Sequence, residues 1–255
     1  MPTQKSKAKS FRSLHIPGSP VVLFNAWDAG SAKAVAASGA KAIATGSWSV
    51  AKANGFDDGE ELPLDLAIAN LARIAKATAL PVTIDLEKGY GATPAAVAKT
   101  IRRSIEAGAV GCNIEDSLAG TGKLRMTADQ ARRIAQARKA ADAAGIAYFI
   151  NARTDVFFQK PPEKHDAAMV ADALERARAY ADAGADGLFV PGLIDAKLMA
   201  KIAAASPLPV NVMVSGGTPP LRVLARAGIA RVSHGPRPYL LAMKALEDAA
   251  RKAQA

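Results

Sequence analysis

The chain has one cysteine, three histidines and no long uninterrupted apolar run. Cys112 lies inside a strand-like segment, so neither a disulfide framework nor a cysteine-based zinc site can form within one chain, and a reducing compartment fits. No stretch reaches the roughly 18 consecutive apolar residues of a membrane helix, and the N-terminus lacks the apolar centre of a secretory signal. These absences predict a soluble, cytoplasmic protein with no membrane partner. Missing too is any composition break that would mark a linker between domains.

What is abundant is positive charge: 33 Lys and Arg against 23 Asp and Glu, a formal net charge of +10. The basic residues are spread along predicted helices and interleaved with acids such as Asp172 and Glu175, which argues against a nucleic-acid surface. Only Lys5, Lys7, Lys9 and Arg12 cluster, and residues 1–20 are read as a flexible, solvated arm. A preference for small anionic substrates is compatible with the balance.

From residue 21 onward one phrase recurs. A small residue precedes a glycine that can end a helix in the left-handed conformation, and an apolar β-branched run follows within a few positions. It occurs at Gly39, Gly108, Gly145, Gly184 and Gly228. Strands are predicted near 21–28, 41–47, 81–87, 109–115, 148–154, 187–191, 209–214 and 230–234, each apolar on both faces as in a covered parallel sheet. Alanine-rich segments of helical length separate them. Helix starts are predicted at Thr93 before Pro94, at Thr218 before Pro219, and at Thr127 with Gln130 completing a capping box. Eight such units over residues 21–255 predict an α/β fold, a closed (β/α)8 TIM barrel, with long loops after strands two, four and five at the face where strands end.

Acidic residues gather at that face. Asp85 and Glu87 end strand three, Glu115 and Asp116 end strand four, and Asp58 lies in the loop after strand two. Carboxylates at strand ends serve either as helix caps and ion-pair partners or, together, as oxygen ligands of a hard divalent cation whose shell is completed by water. Asp85 and Glu87 are two apart and share a side if the strand is undistorted; Lys88 between this pair and the next turn then points outward. Arg153, ending strand five, is placed either to grip a carboxylate bidentately or to pair with one of the acids. After strand two, Gly46-Ser47-Trp48 allows close backbone approach, and its N–H groups can stabilise an oxyanion. His234, ending strand eight, is the histidine placed nearest the mouth.

Taken in order, Asn25-Ala26-Trp27-Asp28-Ala29-Gly30-Ser31, Asp85-x-Glu87-x-Gly89-Tyr90-Gly91, Gly111-x-Asn113-Ile114-Glu115-Asp116, Asn151-Ala152-Arg153-Thr154-Asp155 and Pro209-Val210-Asn211-Val212 resemble the isocitrate lyase/phosphoenolpyruvate mutase superfamily. The resemblance covers nearly the whole chain after the first 20 residues. It implies a TIM barrel whose last helix is exchanged between subunits in a homodimer or homotetramer. The implied cofactor is Mg2+, with Mn2+ as an alternative, bound most directly by Asp85, with Asp58, Glu87 and Glu115 acting through metal-bound water. Implied catalytic residues are Arg153, Ser47 and Glu115; Gly46, Trp48, Arg153, Asn211 and Lys123 are the candidate substrate contacts.

The lid after strand four departs from the superfamily's patterns. Isocitrate and methylisocitrate lyases carry Lys-Lys-Cys-Gly-His there, and mutases an asparagine; residues 117–125 contain neither a cysteine, a histidine nor an asparagine. Ser117, Thr121, Lys123 and Arg125 are the lid's polar groups. The expected function is a Mg2+-dependent lyase cleaving a carbon–carbon bond of a small 2-oxo or 2-hydroxy acid through a pyruvate-type enolate. The alternatives are carbon–phosphorus chemistry, as a mutase or phosphonopyruvate hydrolase, and a ligand-binding barrel without turnover.

Overall fold

The computed structural model describes residues 2–118 and 121–254; Ala119 and Gly120 of the lid lie outside the described residues. Eight parallel strands form where the apolar runs are: β1 (Val21–Leu23), β2 (Ile43–Ala44), β3 (Val82–Asp85), β4 (Gly111–Glu115), β5 (Phe149–Arg153), β6 (Gly187–Phe189), β7 (Val210–Met213) and β8 (Arg231–Ser233). From β2 to β8 consecutive strands pair, and β1 pairs with β8. Between β1 and β2 the ring closes through a single bridge, where the Ala26 N–H donates to the Ala44 carbonyl at 2.8 Å. The expected (β/α)8 barrel is therefore the fold.

Helices cover the outer faces. Ile84, Ile114 and Ile150 pack against Leu71 and Ile74 of α4 (Leu64–Ala77), Ile101 of α5 (Pro94–Glu106) and Ile134 of α6 (Thr127–Ala143). Leu188, Val210 and Val232 pack against Val170 and Leu174 of α7 (Ala167–Asp182), Met199 and Ile202 of α8 (Ala196–Ala205), and Leu224 of α9 (Leu221–Arg226). Burying both faces of the strands from β3 to β7 removes the polar alternation of an exposed sheet. All five predicted helix-ending glycines adopt positive φ, between 66° and 104°.

Residues 4–13 contradict the flexible arm. They form α1 (Gln4–Ser13), which stoppers the barrel at the N-terminal ends of the strands. Phe11 is fully buried and meets Phe149 edge-on at 5.6 Å, while Gln4 Nε2 donates to the carbonyls of Ile105 and Ala109. Gly111 makes room for this stopper: a Cβ there would stand 2.7 Å from the Phe149 carbonyl oxygen and 3.2 Å from the Phe11 ring. Lys5, Lys9 and Arg12 face solvent. Residues 4, 8, 11 and 15 share one helical face, a period masked by the surrounding lysines.

Two helix starts also differ from expectation. Thr93 caps α5 as predicted. Thr218 instead accepts the Ser215 N–H within a turn, and α9 begins after Pro220. Gln130 makes no capping box; its buried amide donates to the Glu115 carbonyl at 3.0 Å, a tertiary partner at the end of β4.

The last helix, α10 (Arg237–Ala253), buries only Pro238 and leaves Leu240, Met243 and Leu246 exposed. The outer faces of β1 and β8 are correspondingly open. Val22, Phe24 and Val35 line one groove of about 450 Å³, and Val232 with Leu221 and Leu224 lines a second of about 270 Å³.

His15 stacks on Phe149 at 3.9 Å, its Nδ1 bonding to the Phe11 carbonyl. Burial, reinforced by Arg231, holds its pKa down to about 3. Below the unfolded value of about 6.5 the unfolded chain binds the proton and the folded chain does not, so stability falls as pH drops toward 3, by up to ~1.4 kcal/mol per pH unit. Denaturant midpoints measured between neutral and acid pH should show a shallower acid-side decline for His15→Phe; an unchanged decline would exclude His15 as its source.

Candidate active site

A cavity of about 210 Å³ opens at the C-terminal ends of the strands. Asp58 and Asp85 stand on one side of it and Arg153 on another; Gly46, Ser47 and Trp48 border it, and Phe158, Phe189 and Met213 form an apolar wall. The sequence reading did not anticipate that wall, because its members come from three separate segments.

Asp85 is fixed by its own backbone and by loops. Its N–H donates to Thr45 Oγ1 at 3.0 Å, and its carboxylate receives the Glu87 N–H at 3.2 Å and the Ser47 N–H at 3.5 Å. Gly46 caps α3 (Ser47–Ala53), whose first residues, Ser47 and Trp48, line the cavity. After Asp85 the strand ends in a sharp turn: Glu87 and Tyr90 both have φ of 50°, a left-handed conformation rare for such residues.

That turn corrects two expectations. Glu87 does not extend the strand beside Asp85; its carboxylate accepts the N–H groups of Gly59 and Glu60 and the Tyr90 hydroxyl, fastening the strand-two loop to the turn. Lys88 does not point outward. It is buried, with Nζ 4.0 Å from Glu115 Oε1, because a left-handed residue interrupts the alternation of sides.

Arg153 is found in the ion-pair arrangement of its two sequence readings. Its Nη1 pairs with Glu115 at 2.8 Å, while Nε and Nη2 hold Asp155 at 2.6 and 3.0 Å. A guanidinium has five N–H groups, so two remain for a ligand. Burial would lower the Arg153 pKa, yet Glu115 and Asp155 outweigh it and hold the group charged. Burial raises the Glu115 carboxyl above the usual range, and Arg153 opposes that rise.

Asp116 turns away from the mouth. It is fully buried and accepts from the Asp155 N–H at 3.0 Å, Arg176 at 3.0 Å and the Tyr180 hydroxyl at 2.8 Å. It is a support of Arg153, not a metal candidate. Asp155, which the sequence reading left without a role, is the link between them.

Other expected contacts scatter. Asn211 is buried on β7, and neither atom of its amide has a partner among the described residues. Lys123 is exposed and does not line the cavity, and Arg125 borders a different one. His234 lies in the outer groove beside Leu224, and Cys112 is fully buried with its thiol pushed up to about 12. Asn25, quoted only within a motif, borders the cavity and also joins β1's end to β8's: its carbonyl accepts from Ser233 at 3.1 Å and from the His234 N–H at 3.0 Å. Tyr239 of α10 meets Trp27 and Trp48 edge-on at 5.2 and 5.9 Å, tying that helix's start to the mouth.

The family model described as phosphoenolpyruvate phosphomutase matches residues 11–254. The chain belongs to the isocitrate lyase/phosphoenolpyruvate mutase superfamily. A crystal structure from Burkholderia cenocepacia J2315, provisionally assigned as a phosphonomutase, shares 58% identity with a TM-score of 0.96, covering 98% of this chain and all of that one. Escherichia coli K12 2-methylisocitrate lyase is 30% identical over 222 residues, 84% of this chain and 72% of its own length. A phosphonopyruvate hydrolase solved with oxalate and Mg2+ is 19% identical with a TM-score of 0.85 over 97% and 87% of the two chains, which shows the shared fold. The relatives thus span more than one reaction class, lyases and decarboxylases among them.

The residues at this mouth fit such a cation. No three acidic, histidine or cysteine side chains among the described residues converge as a closed metal cage. The arrangement instead suits Mg2+, which accepts few protein ligands and keeps several waters. Loss of solvent raises Asp85 and the Asp58 charge raises it further, while Glu87 is pushed up to about 7 by burial, then by Asp58 and Asp85. Carboxylates that repel one another across a cavity are stabilised by a shared cation.

The two roles of the strand-four acids are separable by measurement. Asp116→Ala strands the Arg176 guanidinium and should lower unfolding free energy by ~3 kcal/mol, while Mg2+ affinity, read by calorimetry, should fall far less than in Asp85→Ala. Equal loss of Mg2+ affinity with unchanged stability would make Asp116 a metal ligand.

Proposed function

We propose that this chain is a Mg2+-dependent lyase that cleaves a carbon–carbon bond of a small 2-oxo or 2-hydroxy (di)carboxylic acid through a pyruvate-type enolate. The observation that carries the reading is Arg153, held between Glu115 and Asp155 with two N–H groups free in a cavity shared with Asp58 and Asp85. Its volume of about 210 Å³ suits a substrate of few atoms.

Arg153 binds the substrate carboxylate, and its fixed guanidinium plane sets the orientation of the neighbouring carbons. Ser47 and Trp48 contribute backbone N–H groups, and Ser47 its hydroxyl, toward the oxygen that becomes negative as the bond breaks. Asp85 would hold the cation most directly, with Asp58, Glu87 and Glu115 acting through its water shell. Bound Mg2+ supplies Lewis-acid stabilisation of that developing charge. Phe158, Phe189 and Met213 exclude water from the departing fragment.

Carbon–phosphorus chemistry is the second reading, favoured by the 58% identical relative's assignment. Against it, neither Lys123 nor Arg125 borders the cavity, so a phosphonate would meet Arg153 as its main protein cation. Assaying 2-oxo acid and phosphate release in parallel from oxaloacetate, 2-alkylmalates, methylisocitrate and phosphonopyruvate decides between the two. The lyase reading expects 2-oxo acid without phosphate, abolished by chelator and by Asp85→Ala; phosphate release would replace it with the hydrolase. Arg153→Ala should lower kcat/KM by about 100-fold or more, the loss of two charge-assisted hydrogen bonds. A ligand-binding barrel without turnover would show binding of these acids and no product.

The working form is a homodimer or homotetramer in which α10 crosses to a second subunit. The exposed stripe of Leu240, Met243 and Leu246, and the open outer faces of β1 and β8, support this reading. Light scattering should give an oligomeric mass for the natural chain and a monomeric one for the double variant Met243→Glu, Leu246→Glu; equal masses would overturn the exchange.

A further inference from the structure

Outside the mouth, on the flank where α5 and α6 begin, a second cavity of about 240 Å³ is lined by Arg125, Arg132 and Arg133, with Asp129, Ala92 and Pro94. Arg125 and Arg132, with the charge of Arg133 buried in the wall behind them, stand against one carboxylate, and that carboxylate is paired with Arg132. Arg133 is only 2% exposed, and its Nε and Nη1 have no hydrogen-bond partner among the described residues; the same holds for Arg125 Nε. A buried guanidinium left without a counter-ion is costly, and two side by side repel each other. Burial and then Arg125 push Arg133 down to about 10.

We propose that this cavity binds a phosphate dianion, free or as the terminal group of a phosphorylated metabolite. The excess of two positive charges matches a dianion, and arginine forks present paired N–H groups at the spacing of phosphate oxygens. The first turn of α5, at Pro94, adds its positive dipole end to the same wall. Arg133 reaches the site from a rigid footing: its Nη2 donates to the carbonyls of Lys88 and Gly91, the turn that carries Glu87. The Arg125 N–H in turn donates to the Asp116 carbonyl at 2.7 Å. A phosphate here joins the outer end of the lid to the back of that turn, and does so without entering the mouth.

Calorimetric titration of the full-length, Mg2+-loaded protein with inorganic phosphate and, separately, glycerol 3-phosphate tests the site. Arg125→Ala and Arg132→Ala should each weaken binding about tenfold or more, while Asp85→Ala, which disables the mouth, should leave it within about twofold. The tighter of the two probes identifies the source of the phosphate. No binding of either probe at millimolar concentration, unchanged affinity in both arginine variants, or loss of binding in Asp85→Ala alone would overturn the proposal. Arg132 is largely exposed, so its variant stays informative even where Arg125→Ala perturbs the lid.

Discussion

A chain of buried charge runs across the barrel's mouth, and the geometry of the site rests on it. Arg176 and Tyr180 of α7 hold Asp116; Asp116 accepts the Asp155 N–H; Asp155 holds two nitrogens of Arg153; Arg153 pairs with Glu115. Each link lies in a region of low dielectric, where an unpaired member is expensive and a paired one is rigid. The chain spans β4, β5 and α7, and Ser117 of the lid donates to the same Asp155. The orientation of one guanidinium at the cavity is therefore set by residues that do not line it.

On the opposite side the same economy applies to the carboxylates. Glu87 is held by the strand-two loop and Tyr90, at the expense of two left-handed non-glycine residues in one short turn. Asp85 and Asp58 are left facing the cavity, where burial and then the Asp58 charge raise the cost of ionising Asp85. Repulsion between these acids is the kind that a hard cation placed between them would relieve.

The barrel itself was legible because both-face apolar strands, separated by helix-ending glycines, leave little choice of topology. All eight strands lie within the predicted segments, and Asp85, Asp58, Arg153, Gly46, Ser47 and Trp48 meet at one cavity as expected. Phe11 was missed because lysines at 5, 7 and 9 dominate the composition of a helix whose buried face is only four residues wide. Lys88 and Glu87 were misread because period-two reasoning holds only while the strand continues, and nothing local announces that it stops at Asp85. Asp116 and Gln130 were misread because their partners, Arg176, Tyr180 and the Glu115 carbonyl, lie far away or across a turn.

Sequence alone therefore determined the order of elements and which chemical groups reach the C-terminal rim, since both follow from local periodicity and strand direction. Tertiary structure decided which of those groups remain free. Asp116 and Asp155 are consumed by partners from α7 and Arg153, Glu87 is fastened to the strand-two loop, and the apolar wall is assembled from three distant segments. Hydrogen-bond satisfaction in a buried site depends on every neighbour in space, and spacing along one chain does not record those neighbours.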